Sequence, residues 1–168
     1  MAKSPTNEPE ADRTAVISRT IAVPARYLFA AHSAAEHISR WFGPVGYPVT
    51  KCDYDFRVGG HWRMVMTGPD GVDGPPFGGT FLEIEPDRRI VYTDAFEDGK
   101  GGAMNLRHAG GQMVFTTTFK ESGGATTVTV SIRFETAAMK EEFLGIGMRE
   151  GIASGIDQWE EVARALAA

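Results

Sequence analysis

Two charged residues fall in phase with apolar neighbours, and they are the first candidates for chemistry. Arg19 shares a strand face with Ile17 and Ile21 in the run 14–23, and Asp94 shares one with Ile90 and Tyr92 in the run 90–96. A charge on an apolar face must be paired or reach water, because an unpaired buried charge is very costly. Two readings follow. In one, Arg19 or Asp94 or both line a wet patch in a pocket and orient a polar group of a ligand, with Asp94 available as a general base. In the other, they form a structural ion pair or escape to solvent at a strand end. No matched acid or base partner for Asp94 is visible.

The other reactive side chains carry weaker signals. His32, Glu36 and His37 suggest a metal, but histidines five apart do not share a helix face, and there is no H-E-x-x-H. No metal is expected. His61 should face outward beside Arg63, and His108 is separate in sequence. Cys52 falls on an apolar face with no adjacent histidine, so it reads as a small hydrophobe. No G-x-S-x-G, P-loop or dinucleotide fingerprint occurs. The glycines of 74–79 and 99–102 lack the strand-loop-helix context of a phosphate cradle. No cofactor is expected.

The elements that must position these residues are legible from periodicity. Residues 14–23 are rich in β-branched residues and read as a strand that stops at Pro24. A short helix over 25–32 buries Leu28 and Phe29. Ser33 and Glu36 then suggest a capping box for a second short helix that runs to about Trp41 and stops at Gly43-Pro44. From 49 onward, alternation predicts strands at 49–57, 61–67, 79–85, 90–96, 112–120 and 125–134, forming an antiparallel sheet with one packed face. Cys52, Tyr54 and Phe56 share one face; Trp62, Met64 and Met66 share another. A glycine-rich loop spans 97–111. Residues 137–167 read as one helix with Leu144, Met148, Ile152, Gly155, Trp159, Val162, Ala163 and Leu166 on one face. Gly147, Gly151 and Gly155 lie beside it and point to close packing or to room for a guest. Each glycine costs about 1 kcal/mol relative to alanine inside a helix.

Composition bounds the function. The chain has 168 residues, 42% hydrophobic and 23% charged, so one domain with a substantial core is expected. Residues 1–12 read as a disordered tail and 13–168 as the domain. A net charge of −5 with no Lys/Arg run argues against nucleic acid. No stretch has the length of a membrane span, no apolar leader opens the chain, and a single cysteine suits a reducing cytoplasm.

The order β-α-α-β-β-β-β-β-β-α implies an α+β fold, a curved antiparallel sheet around a long C-terminal helix. That order, together with R-T-I-A-V-P (19–24), Trp41-Phe42, G-G-H-W-R (59–63), P-D-G (69–71), G-T-F-L-E-I-E-P (79–86), R-I-V-Y-T (89–93) and the glycine-then-Trp159 helix, resembles the START-like (Bet v 1-like, helix-grip) superfamily. Within it, the chain is similar to bacterial proteins related to the C-terminal domain of the Hsp90 ATPase activator. Phe42 stands where that family often has a second Trp.

The resemblance implies a fold with a cavity and not one activity. Relatives include lipid and hormone binders, polyketide aromatases and cyclases, and co-chaperone domains. The expected lining is Trp62, Met64, Met66, Tyr92, Phe115 and Thr117 from the sheet with Met148 and Ile152 from the helix. Trp41 and Phe42 would sit near the mouth. The reading favoured is a binder of a small, mostly hydrophobic molecule between sheet and C-terminal helix. The alternatives are a cyclase- or aromatase-like enzyme using the same pocket and a protein-interaction module. Homodimerisation is also expected, without an identifiable interface.

Overall fold

A computed structural model describes residues 8–168, so residues 1–7 of the expected tail lie outside the described residues. Residues Glu10–Arg13 form a 3-10 turn, and the Ala137 N–H donates to the Glu8 carboxylate at 2.9 Å. Seven strands follow in chain order: β1 (Thr14–Ile21), β2 (Val49–Tyr54), β3 (His61–Met66), β4 (Phe77–Glu85), β5 (Arg89–Phe96), β6 (Met113–Ser122) and β7 (Ala125–Arg133). They form one antiparallel sheet in the order β1-β7-β6-β5-β4-β3-β2. Irregular register between Val49 and Lys51 and between Phe81 and Glu83 adds local bend and twist. This is the α+β helix-grip architecture.

Helix α1 (Ala25–His32) crosses back over the sheet, followed by α2 (Ala35–Ile38). Pro24 stands immediately before the first helical residue, and the Ala25 N–H donates to the Glu121 carboxylate at 2.7 Å. That contact ties the helix start to the β6–β7 hairpin. The expected capping box is not formed. Ala34 precedes α2 without a side-chain cap, and the Ser33 hydroxyl instead donates to the Ala30 carbonyl, closing α1. Ser33 is spent on the helix before it, because only two residues, Ser33 and Ala34, separate the two helices.

The single helix expected over 137–167 is two: α3 (Ala137–Gly145) and α4 (Met148–Ala167). The break is at Gly147, whose φ of 97° lies outside helical space. The other two glycines serve different ends. A Cβ on Gly155 would meet the Gly43 and Trp41 carbonyl oxygens at 3.4 and 3.5 Å, whereas one on Gly151 would reach only Pro44, at 4.0 Å. Close approach to the 41–45 segment therefore holds at Gly155, reinforced by Gln158 Nε2 donating to the Gly43 carbonyl at 2.7 Å.

The core lies between the sheet and the helices. Ile21, Met64, Phe81, Ile90, Val128 and Ile132 are buried from the sheet, and Leu28, Ile38, Met139, Ile156 and Trp159 from the helical layer. In the 97–111 loop, the Asp98 carboxylate collects the N–H groups of Lys100, Gly101 and Gly102, and Glu142 of α3 collects those of Arg107 and His108.

Candidate functional site

Helix α1 is eight residues long, so its final carbonyls need partners from elsewhere. Three aromatic side chains reach carbonyls within its last five residues, two of them among the last four. Trp159 Nε1 donates to the Leu28 carbonyl at 3.0 Å, Trp41 Nε1 to that of Ala31 at 2.8 Å, and the Tyr54 hydroxyl to that of His32 at 2.8 Å. Each donor comes from a different element: α4, the turn after α2, and β2. The end of α1 is thus fixed above the sheet, and His32 is fixed with it.

Beneath that end runs a seam lined by His32, Ile38, Phe42, Tyr54, Trp62, Met64, Phe81 and Tyr92. Its walls close on one another, leaving no room for a water molecule. The aromatic contacts are dense and mostly edge-to-face: Trp62 with Tyr92 at 5.3 Å, Tyr54 with Phe81 at 5.2 Å, and Phe42 with Trp62 at 6.0 Å. Trp62 is held in place by its N–H, which donates to the Thr93 carbonyl at 3.0 Å. At one end Gly43 takes a φ of 93°, and the position of a Cβ there would be 2.5 Å from the Met66 methyl. The half-buried Phe42 and Met66 flank this turn.

The expected site residues divide among several places. Phe42, Trp62, Met64 and Tyr92 line the seam. Phe115 stacks behind Tyr92, with centroids 5.1 Å apart, and Thr117 is buried on β6 opposite Ile90. Trp41 is a buried stacking partner of Trp159. Met148 and Ile152 are partly buried against the core, and no residue of α4 lines the seam. The gap therefore lies between β2–β5 and the α1–α2 segment.

The two charged candidates are not together. Arg19 of β1 pairs with Asp157 of α4 and also donates to the Ala153 carbonyl at 3.4 Å. β1 and β5 are separated by β7 and β6, three strand spacings or about 14 Å. Asp94 is buried, and its Oδ1 has no hydrogen-bond partner. Burial pushes its pKa up to about 7, opposed by the Ala95 N–H.

Sequence spacing offers His32 only as a metal ligand and Tyr54 only as an apolar-face residue. Together they form the polar element of the seam: Tyr54 Oη lies 3.0 Å from His32 Nδ1. Burial lowers the His32 pKa to about 4 and raises that of Tyr54 well above its ordinary value, so both are neutral near pH 7. No periodic signal marks His32 as special, since its burial depends on Trp41, Tyr92 and Trp159, all remote in sequence. Cys52 is half-buried, and burial together with Asp53 pushes its thiol pKa up, away from the reactive thiolate. His61 is exposed, with Nδ1 3.2 Å from the Thr80 hydroxyl. Among the described residues, no three His, Cys, Asp or Glu side chains converge as metal ligands, and no helix is long and apolar enough to cross a membrane.

The sequence matches the family model described as Activator of Hsp90 ATPase homolog 1-like protein over residues 22–164. No curated protein matches it. Solved structures similar to it include a protein from Nitrosomonas europaea, 24% identical with a TM-score of 0.80, covering 95% of this chain and 99% of that one. One from Arthrobacter aurescens is 24% identical with a TM-score of 0.81, covering 95% and 90%. One from Mycobacterium smegmatis is 24% identical with a TM-score of 0.76, covering 92% of each chain. These likenesses show the fold.

Proposed function

We propose that this chain, which belongs to the family of Activator of Hsp90 ATPase homolog 1-like proteins, binds a small, mostly apolar molecule in the seam beneath the end of α1. The observation that carries the reading is the lining. Six of the eight side chains facing the gap bear rings, and the other two are Ile38 and Met64. Such a wall offers large apolar area, adaptable sulfur and few polar groups to set orientation. Entry requires side chains to move, since the gap is closed. Phe42 and Met66, both half-buried beside the Gly43 turn, are the ones with least to lose.

Native mass spectrometry of gently purified protein, against a denatured control, tests the reading. A mass excess of a few hundred daltons that disappears on denaturation supports it. A clean protein mass in repeated preparations, with no thermal stabilisation by apolar aromatics, overturns it.

A protein-interaction role is favoured by a separate observation. Val45 and Val72 are 71% and 63% exposed, and the segments that carry them adjoin, with the Thr67 N–H donating to the Pro48 carbonyl at 3.0 Å. Exposed apolar residues on adjoining loops suit a partner surface. Val45→Glu should then abolish partner binding while Trp62→Ala leaves it intact. The cyclase-like alternative has less support, because Asp94 is not among the residues lining the seam.

A further inference from the structure

The hydrogen-bonding of His32 and Tyr54 fixes where protons sit. The Tyr54 hydroxyl has one proton and two close neighbours, the His32 carbonyl at 2.8 Å and His32 Nδ1 at 3.0 Å. A carbonyl can only accept. If the hydroxyl proton went to Nδ1, two oxygens would face each other at 2.8 Å with no proton between them. The hydroxyl therefore donates to the carbonyl, and Nδ1–H donates to the hydroxyl oxygen. A neutral imidazole has one N–H, so Nε2 carries a bare lone pair. No described residue hydrogen-bonds Nε2.

Most other polar handles around the seam are already committed. The indole N–H groups of Trp41, Trp62 and Trp159 each donate to a backbone carbonyl. The Tyr92 hydroxyl, in the wall of the same seam, has no hydrogen bond to a described residue. No Lys or Arg lines the gap, so nothing there compensates a carboxylate or phosphate.

We infer that His32 is the polar anchor of the seam, accepting through Nε2 a hydrogen bond from the hydroxyl of an uncharged aromatic guest. This rests on the seam being a binding site. A hydroxyl suits it because it donates to Nε2 and retains lone pairs for a donor such as the Tyr92 hydroxyl. An ether of the same shape cannot donate, and a carboxylate sets its charge against the lone pair.

The test is calorimetric titration of the full chain at pH 7.5 with 2-naphthol, 2-methoxynaphthalene and 2-naphthoate. Wild type should bind 2-naphthol about tenfold more tightly than the methyl ether, the size of one net hydrogen bond, and bind 2-naphthoate least. In His32→Asn the side-chain amide can still donate to Tyr54 but nothing replaces Nε2, so the tenfold preference should vanish. Equal wild-type affinity for naphthol and ether overturns the anchor while leaving the seam as a binding site. Binding of none of the three overturns both. Should His32→Asn fail to fold, nitrogen NMR of wild type decides. An unprotonated Nε2 whose resonance shifts with 2-naphthol supports the anchor, and a protonated Nε2 in the free protein, or no shift, overturns it.

Discussion

Trp41 and Trp159 lie face to face, ring centroids 4.5 Å apart and 6° from parallel, and each donates its indole N–H to a different carbonyl of α1. One stacked pair thereby satisfies two carbonyls near the end of a short helix and joins α4 to the turn after α2. Trp41→Phe should keep much of the packing but leave the Ala31 carbonyl without its donor. The expected loss is about 1–3 kcal/mol of unfolding free energy. Urea titration followed by far-UV circular dichroism measures it. Because Trp41 does not line the seam, affinity for an apolar guest should stay within about twofold.

The glycines of the C-terminal helices should separate by role. Gly145 has nothing within 4 Å of an added Cβ, Gly151 has only Pro44 at 4.0 Å, and both sit in helices. Gly145→Ala and Gly151→Ala should each raise stability by about 0.5–1 kcal/mol. Gly147→Ala should lower it by roughly 1–2 kcal/mol, since its φ of 97° is strained for any residue with a Cβ. Thermal melts of the three variants make the comparison directly.

Asp94 and His32 should give opposing slopes of stability with pH. Asp94 has a folded pKa raised from 3.8 to about 7, so the folded state holds the extra proton and stability falls as pH climbs between those values. His32 has a folded pKa lowered from 6.5 to about 4, so the unfolded state holds the extra proton and stability rises over that interval. The two partly cancel in wild type. Asp94→Asn removes the falling slope, so its stability should climb more steeply from pH 4 to 6.5. Near pH 8 it should exceed wild type by on the order of 1–3 kcal/mol. Chemical denaturation at pH 4.5, 6 and 8 checks the sign, and an Asp94→Asn profile parallel to wild type would contradict it.

Opening the seam at its end should change ligand access. Phe42 packs on Trp41, Trp62 and Phe77 without being fully buried. Phe42→Ala should lower stability by about 1–3 kcal/mol and enlarge the gap. The variant should then gain more thermal stabilisation from naphthalene than wild type does, by differential scanning fluorimetry. Trp62→Ala, which removes a wall and the donor to Thr93, should lose that response.

Alternation and turn residues determine much of this molecule from sequence alone. The seven strands and the buried faces carrying Trp62, Met64 and Tyr92 follow from period-two patterning, because strand geometry sends alternate side chains to opposite faces, and the short helices after β1 follow from their bounds at Pro24 and Gly43-Pro44. What those faces meet was decided by tertiary structure. Patterning marks the apolar side of α4 as buried, but not that Trp159 is engaged with Trp41 while the gap lies under α1 and α2. Nor does it show Arg19 paired with Asp157 across the chain, or the helix break at Gly147. His32 is the clearest case. Its burial, neutrality and bare nitrogen arise only when Tyr54, Trp41 and Trp159, from three separate elements, converge on carbonyls in the second half of an eight-residue helix.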